Sequence, residues 1–291
     1  MPAEPHQVGR LPAPPARPKE GHKGTFGTVI VVGGSPTMIG APALAATAAL
    51  RAGAGLAKIA THASILPFTL VIEPSATGIV LEGGVAQQLA ALDEADPDQR
   101  AVLAVGPGLG RSDAAEELVT ALLRSKRAMV LDADGLNALA ATGKPRPQPG
   151  PPLVMTPHPG EFRRLANPLG ITASPTDPAQ RAQAARELAT AHDAVVVLKG
   201  HQTVVSHRGR DYLNPTGNPA LATAGSGDVL TGLIAGLIAQ GMEPFDAAVL
   251  GVHAHGLAAD RWAQQHGPSG LLVRELASLL PDVLNSLRRT R

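Results

Sequence analysis

Apolar positions along this chain fall into two rhythms that take turns. Short runs rich in Val, Ile, Leu and Ala at 28–32, 56–61, 79–81, 101–105, 128–131, 153–155 and 194–198 predict strands, most of them buried on both faces. Between them the apolar spacing changes to the helical repeat, predicting helices at 42–52, 85–95, 112–124, 135–141, 177–191, 229–240, 246–265 and 271–287. Ser112 and Asp113 are capping candidates, and Asp134 is a candidate cap for the helix at 135–141. Asp177-Pro178-Ala179-Gln180 adds Pro at the first helical position and a capping-box partner at the third. Residues 204–206 and 211–213 flank Arg208-Gly209-Arg210 and predict a hairpin.

The alternation predicts an α/β fold: a central, mostly parallel sheet flanked by helices on both faces. There is no internal repeat and no mid-chain linker long enough to split domains, so one domain is expected over 21–291. Six prolines among residues 1–20 predict a flexible or extended leader outside the core.

Composition narrows the function classes. With 44% hydrophobic residues and 2% aromatic, the core of this 291-residue chain must be packed by small aliphatic side chains, which lets helices approach closely. A net charge of +1, with 19 scattered Arg among 25 basic residues, gives no electrostatic case for nucleic acid or a membrane surface. No cysteine is present, which excludes disulfides, thiolate metal sites and thiol nucleophiles, and agrees with a cytoplasmic location. The first residues lack the apolar run of a signal peptide. Residues 24–50 are uncharged, but Gly33-Gly34-Ser35-Pro36-Thr37 interrupts them, so they read as strand, loop and helix and not as a membrane span.

Candidate chemistry gathers on 214–228, a polar, glycine-punctuated loop that runs into the helix at 229–240. Gly225-Ser226-Gly227 leaves backbone N–H groups open at a helix start, where the dipole favours an anion. Asp228 beside such a site is repulsive unless it takes a proton from an attacking hydroxyl; it could also be a simple cap. The glycine-rich turns 33–41 and 106–110 and the Asp132-to-Asn137 segment follow strands, where α/β proteins bind ligands. The 33–41 turn is neither a dinucleotide fingerprint nor a Walker loop, and 106–110 reads as a nucleotide signal or as a tight turn with no ligand. His158, held between two prolines, is a functional candidate, and Glu161 is placed to orient Mg²⁺ through water. Lys23, just before the first strand, reads equally as a phosphate contact and as a solvated loop lysine. His253 and His255 face different directions on one helix, so no joint metal site is expected.

Taken in order, the blocks 22–27, 33–41, 106–110, 132–137, Thr156-Pro157-His158-Pro159-Gly160-Glu161, 199–203 and Asn214-to-Asp228 resemble the ribokinase-like superfamily, and within it the ADP-dependent NAD(P)H-hydrate dehydratases. The resemblance implies a ribokinase-like fold and a repair reaction. ADP would drive dehydration of (6S)-NADHX or (6S)-NADPHX, giving AMP, phosphate and the restored cofactor. It assigns Ala41, Gly108, His158 and Asp228 to the hydrated dinucleotide, with Asn137 nearby. It assigns Lys199, Gly200, His201, Gln202, Thr203 and Gly227 to the nucleotide. Asp228 would be the base, Gly225, Ser226 and Gly227 would hold the transferring phosphoryl group, and Mg²⁺ and Lys23 would neutralise charge. Phe26 and Ser226 depart from the Tyr and Thr common at those positions. The resemblance further implies a homotetramer and, with only some 20 residues ahead of the domain, a separate NAD(P)H-hydrate epimerase acting upstream. A kinase of the same fold acting on a vitamin-precursor alcohol, or a non-catalytic nucleotide-binding protein, is the alternative.

Overall fold

The computed structural model describes residues 6–7 and 11–289. Its strands are β1 (His6–Gln7), β2 (Thr28–Val32), β3 (Leu56–Thr61), β4 (Thr77–Val80), β5 (Val102–Val105), β6 (Met129–Leu131), β7 (Leu153–Met155), β8 (Val195–Leu198), β9 (Val204–His207) and β10 (Arg210–Leu213). They form one sheet in the order β1-β10-β9-β8-β7-β6-β5-β2-β3-β4. From β8 to β4 every pairing is parallel; only β8–β9 and β9–β10 are antiparallel. The antiparallel pairs are the predicted hairpin, turning at Arg208-Gly209 with φ of 46° and 79°. Parallel strands buried on both faces explain why β5, β6, β7 and β8 carry no polar alternation.

The helices are α1 (Gly40–Ala52), α2 (Leu66–Ile72), α3 (Val85–Ala95), α4 (Asp113–Leu122), α5 (Ala133–Ala141), α6 (Pro159–Ala166), α7 (Arg181–His192), α8 (Ser226–Ala239), α9 (Pro244–His266) and α10 (Val273–Arg289). Side chains alternate across the sheet. Val29, Val31, Ala104 and Val130 therefore pack with α1, α8, α9 and α10, while Ile30, Val32, Leu103 and Met129 pack with α3, α4, α5, α6 and α7 on the other face. Strand order reverses between β2 and β5, so the loops after these two strands meet at the carboxyl edge, where doubly wound folds bind ligands. They interlock there: a side chain on Gly33 would strike the Pro107 carbonyl, and the Gly34 N–H donates to that same oxygen at 2.9 Å.

Small residues bring α1 and α8 into backbone contact. A Cβ on Gly232 would collide with the Ala45 carbonyl, and one on Gly236 would lie 2.7 Å from that of Ala49. Scarce aromatics thus translate into closely packed Ala/Gly helix faces.

Several expectations need correction. Residues 11–20 do not hang free: Pro14 is buried, Leu11 packs against the core, Arg17 donates to the Gly53 carbonyl, and Arg288 donates to that of Pro15. Proline-rich chain loses little entropy on docking, so few contacts suffice. Residues 1–5 and 8–10 of the expected leader lie outside the described residues. Asp134 does not cap α5; the cap position is Asp132, and Asp134 accepts from Gly110 N–H at 2.9 Å instead. The Asp177 turn forms, with Ala179 N–H donating to Asp177 Oδ1 at 3.0 Å, but α7 begins only at Arg181 because Gln180 turns back to Ser174 N–H. The sequence patterns did not predict α2 or α6, both short and opened by Pro.

Candidate active site

Gly225, at φ 90°, forms the N-cap of α8 without a side-chain bond, and the Gly227 and Asp228 N–H groups find no backbone acceptor among the described residues. Ser226 Oγ donates to the Leu221 carbonyl at 2.9 Å, so its hydroxyl fixes the loop. His255, on α9, donates from Nε2 to the Ser226 carbonyl at 2.9 Å; burial lowers its pKa to about 4, keeping the ring neutral. The preceding loop is stitched to α9 as well. Asn214 donates to the Val252 carbonyl at 3.1 Å, and Asp260 accepts from Gly217 N–H at 2.9 Å and from Asn218 at 2.8 Å. The amides of this polar loop are therefore structural, and they leave the open end of α8 as its reactive feature.

Asp228 stands in the first turn of α8. Burial, then the Asp132 and Asp134 carboxylates, push its pKa up to about 7 against the pull of Lys199. Asp132 directly follows β6, and there Lys199 Nζ donates to its Oδ1 at 2.7 Å and Thr231 Oγ1 to its Oδ2 at 2.8 Å. Burial alone would lower the Lys199 ammonium, but Asp132 and Glu161 outweigh it and hold its pKa above the ordinary value. Gly227 has no side chain where a Cβ would lie 3.3 Å from Lys199 Nζ, so backbone and ammonium close on the same space. An unpaired helix end, an ammonium and a carboxylate with a pKa of about 7 are the parts needed to hold a phosphoryl group and take a proton beside it.

His158 and Glu161 form a reciprocal cap at the start of α6. His158 Nδ1 accepts from Gly160 N–H at 2.9 Å, and Glu161 Oε2 accepts from His158 N–H at 2.8 Å. With Nδ1 accepting, the ring proton sits on Nε2, 3.4 Å from Glu161 Oε1. Burial, then Lys199 and Arg164, lower the His158 pKa; burial raises that of Glu161 to about 7. Glu161 thus caps α6 through Oε2 and faces the His158 ring through Oε1. Among the described residues no group of three or more His, Asp or Glu side chains is arranged to hold a metal ion.

Ala41 lies in the first turn of α1, and a Cβ on Gly108 would reach within 3.0 Å of its side chain, so these two predicted substrate residues meet. Asn137 donates to Asp134 Oδ1 at 3.2 Å and accepts from Arg164 Nε at 2.8 Å. Gly200, His201, Gln202 and Thr203 make the tight turn between β8 and β9, beside Lys199; His201 and Gln202 are exposed. Lys23 is not brought in. It precedes β2 and therefore lies at the amino edge, where its carbonyl abuts Gly55. Gly27, four residues on, meets Ala239 at the far end of α8. Eleven residues of helix, about 16 Å at 1.5 Å each, separate that end from Asp228. Sequence reasoning missed Thr231, His255 and the pairing of Asp132 with Lys199. Only the position of Asp132 directly after a buried strand signalled any of these.

Residues 29–282 match the family described as NAD(P)H-hydrate dehydratase. A bifunctional NAD(P)H-hydrate repair enzyme of Moorella thermoacetica is 44% identical over 94% of this chain and 52% of its own length. The chain spans about half the length of the first curated relatives it matches. The ADP-dependent (S)-NAD(P)H-hydrate dehydratase of Bacillus subtilis is 38% identical over 92% of this chain and 93% of that protein. A crystal structure of an ADP/ATP-dependent NAD(P)H-hydrate dehydratase from Bacillus subtilis, co-crystallised with ATP and Mg²⁺, superposes with a TM-score of 0.77 at 34% identity, covering 94% of each chain. Matched across nearly all of its length in both sequence and fold, the chain belongs to the NAD(P)H-hydrate dehydratase family.

Proposed function

We propose that the protein restores damaged nicotinamide cofactors, using ADP to dehydrate (6S)-NADHX and (6S)-NADPHX to NADH and NADPH with release of AMP and phosphate. The observation that carries this reading is Asp228: a carboxylate with its pKa raised to about 7, at the open N-terminus of a helix, facing Lys199. Hydroxide is a poor leaving group, and phosphorylating the ring hydroxyl replaces it with a good one. Asp228 takes the hydroxyl proton as the oxygen attacks the β-phosphorus of ADP and the bond to AMP breaks. The N–H groups of Gly225 and Gly227, that of Ser226 once it leaves its 3.4 Å bond to the Thr223 carbonyl, and the Lys199 ammonium balance the charge on the transferring group. The ring nitrogen's electron pair then expels phosphate, and loss of a proton from the neighbouring ring carbon completes the dehydration.

In this reading Ala41, Gly108, His158 and Asn137 hold the dinucleotide, and Lys199 with Gly200, His201, Gln202 and Thr203 holds the AMP part. Mg²⁺ would come bound to the nucleotide's phosphates, an arrangement that needs few protein ligands, and would supply further charge neutralisation. The same reading includes a cytoplasmic homotetramer. Exposed Phe68, Val71 and Ile72 on α2 support self-association, and among the described residues no helix is long and apolar enough to cross a membrane. Incubation with hydrated NADH, Mg²⁺ and ADP should restore absorbance at 340 nm with equimolar AMP. Folded protein that restores none would defeat the proposal.

A further inference from the structure

Beside the site a groove of about 380 Å³ opens between α4, α5 and α6, within the size range of small-molecule sites. Its lining includes Gly110, on the loop that follows β5, and Asn137, on α5. Two guanidinium groups flank it. Arg111 is 64% exposed, with Nε 3.5 Å from Asp134 Oδ1. Arg164 donates from Nε to Asn137 Oδ1 at 2.8 Å, which fixes the plane of its fork. Among the described residues the Nη groups of neither arginine have an acceptor. Small apolar side chains, Ala138 and Ala141 among them, complete the wall. Glu116 also lines the groove, from an exposed position in which water screens its charge.

The groove lies close to the candidate site. Arg164 is near enough to His158 and Glu161 for its charge to act on both, and Asp134 is near enough to act on Asp228. A dinucleotide whose hydrated ring lies at Asp228 must extend its other half away from it. The turn after β8 lies on the far side of β7 from this groove, so the two nucleotide-sized substrates need not overlap. Two forked donors over a small apolar wall suit phosphate oxygens beside a ribose and a purine. We propose that this groove seats the adenosine half of the hydrated dinucleotide, with Arg111 and Arg164 holding its phosphates. The proposal rests on the function given above.

The test is binding of the product NADPH or NADH, followed by nicotinamide fluorescence, with ADP binding followed separately by calorimetry. Replacing both arginines (R111A with R164A) should weaken NADPH about tenfold or more and leave ADP within about twofold. A tenfold loss corresponds to about 1.4 kcal/mol. Ala141→Trp, which obstructs the exposed rim without changing charge, should weaken NADPH as well. A loss confined to NADPH places the arginines on the 2′-phosphate, and an equal loss for NADH places them on the diphosphate; either supports the groove. NADPH affinity within twofold of the unmodified protein in both variants overturns it, as does a loss in ADP affinity alone. Protein that binds NADPH with these responses yet restores no absorbance at 340 nm keeps the groove and sinks the repair reaction.

Discussion

Asp228→Asn separates the catalytic role of this residue from its effect on stability, because the two should move in opposite directions. Asn keeps the shape of the side chain and the N–H groups of α8, so ADP should still bind. It cannot accept the hydroxyl proton. Loss of a general base lowers turnover by 10²–10⁴, and a mid-range loss of about 10³ corresponds to ~4 kcal/mol of barrier. Stability should rise. The carboxylate's pKa climbs from 3.8 unfolded to about 7 folded, first through burial and then through Asp132 and Asp134. Below pH 3.8 both states are protonated and nothing is lost. Between 3.8 and 7 the unfolded chain releases its proton while the folded chain keeps it, so stability falls as pH rises, then levels off above 7. A shift of about three units sets a ceiling of ~4 kcal/mol, which solvent around this partly exposed group reduces to about 2 kcal/mol.

The assays are initial rates at 340 nm and urea unfolding at pH 5 and pH 8. Asp228→Asn should lose turnover and gain about 2 kcal/mol over the unmodified protein at pH 8, with a smaller gain at pH 5. Near-normal turnover refutes the base. A stability difference that does not grow between the two pH values refutes the burial argument, whatever the rates show.

Glu161→Gln tests which carboxylate sets the pH profile: turnover should still rise between pH 6 and 8 through Asp228, and a flat profile would transfer the role to Glu161. Lys199→Met leaves Asp132 buried with Thr231 alone; since the Lys199 side chain is 20% exposed, the loss should be about 2–3 kcal/mol, read from the urea midpoint, together with a weaker affinity for ADP. Gly232→Ala drives a methyl group into the Ala45 carbonyl, a backbone atom that cannot swing away, and should lower thermal stability by about 3 kcal/mol or more. Lys23→Ala, at the amino edge, should leave the KM for ADP within about threefold; a much larger rise would show that the lysine reaches a nucleotide after all.

The strands were legible because burial on both faces leaves uninterrupted runs such as Val29-Ile30-Val31-Val32, and the longer helices because their apolar spacing persists over several turns. What was not legible depends on distance in space. α6 is too short to show a period, and its start reads as a Pro-bounded loop; only the reciprocal bonds of His158 and Glu161 reveal a helix cap. Asp134 looked like the cap because Asp favours that position, yet Asp132 takes it, and Lys199, 67 residues further along, bonds the Asp132 side chain. The Lys23 expectation failed for a topological reason. Proximity in sequence to β2 says nothing about which edge of the sheet is reached, and a residue before a parallel strand arrives at the edge opposite the site. The helix start at Asp228 was legible because its features are local: one stretch supplies the glycines, the open N–H groups and the carboxylate.

The shortage of aromatics has a consequence for the site itself. α1 begins where the loop after β2 ends, and α8 begins where the Asn214-to-Gly225 loop ends. The helices run in the same direction, with Ala45 against Gly232 and Ala49 against Gly236. Backbone contact at Gly232 and Gly236 leaves little room for one helix to slide past the other, because packed interiors resist such shifts. The N-termini of α1 and α8 are therefore held at a fixed offset on the carboxyl edge, and Ala41 and Asp228 with them. Bulky side chains between these helices would fill the same core while setting the two loops further apart. An Ala- and Gly-rich interior is thus what holds the carboxylate at the start of α8 at a fixed offset from Ala41 at the start of α1.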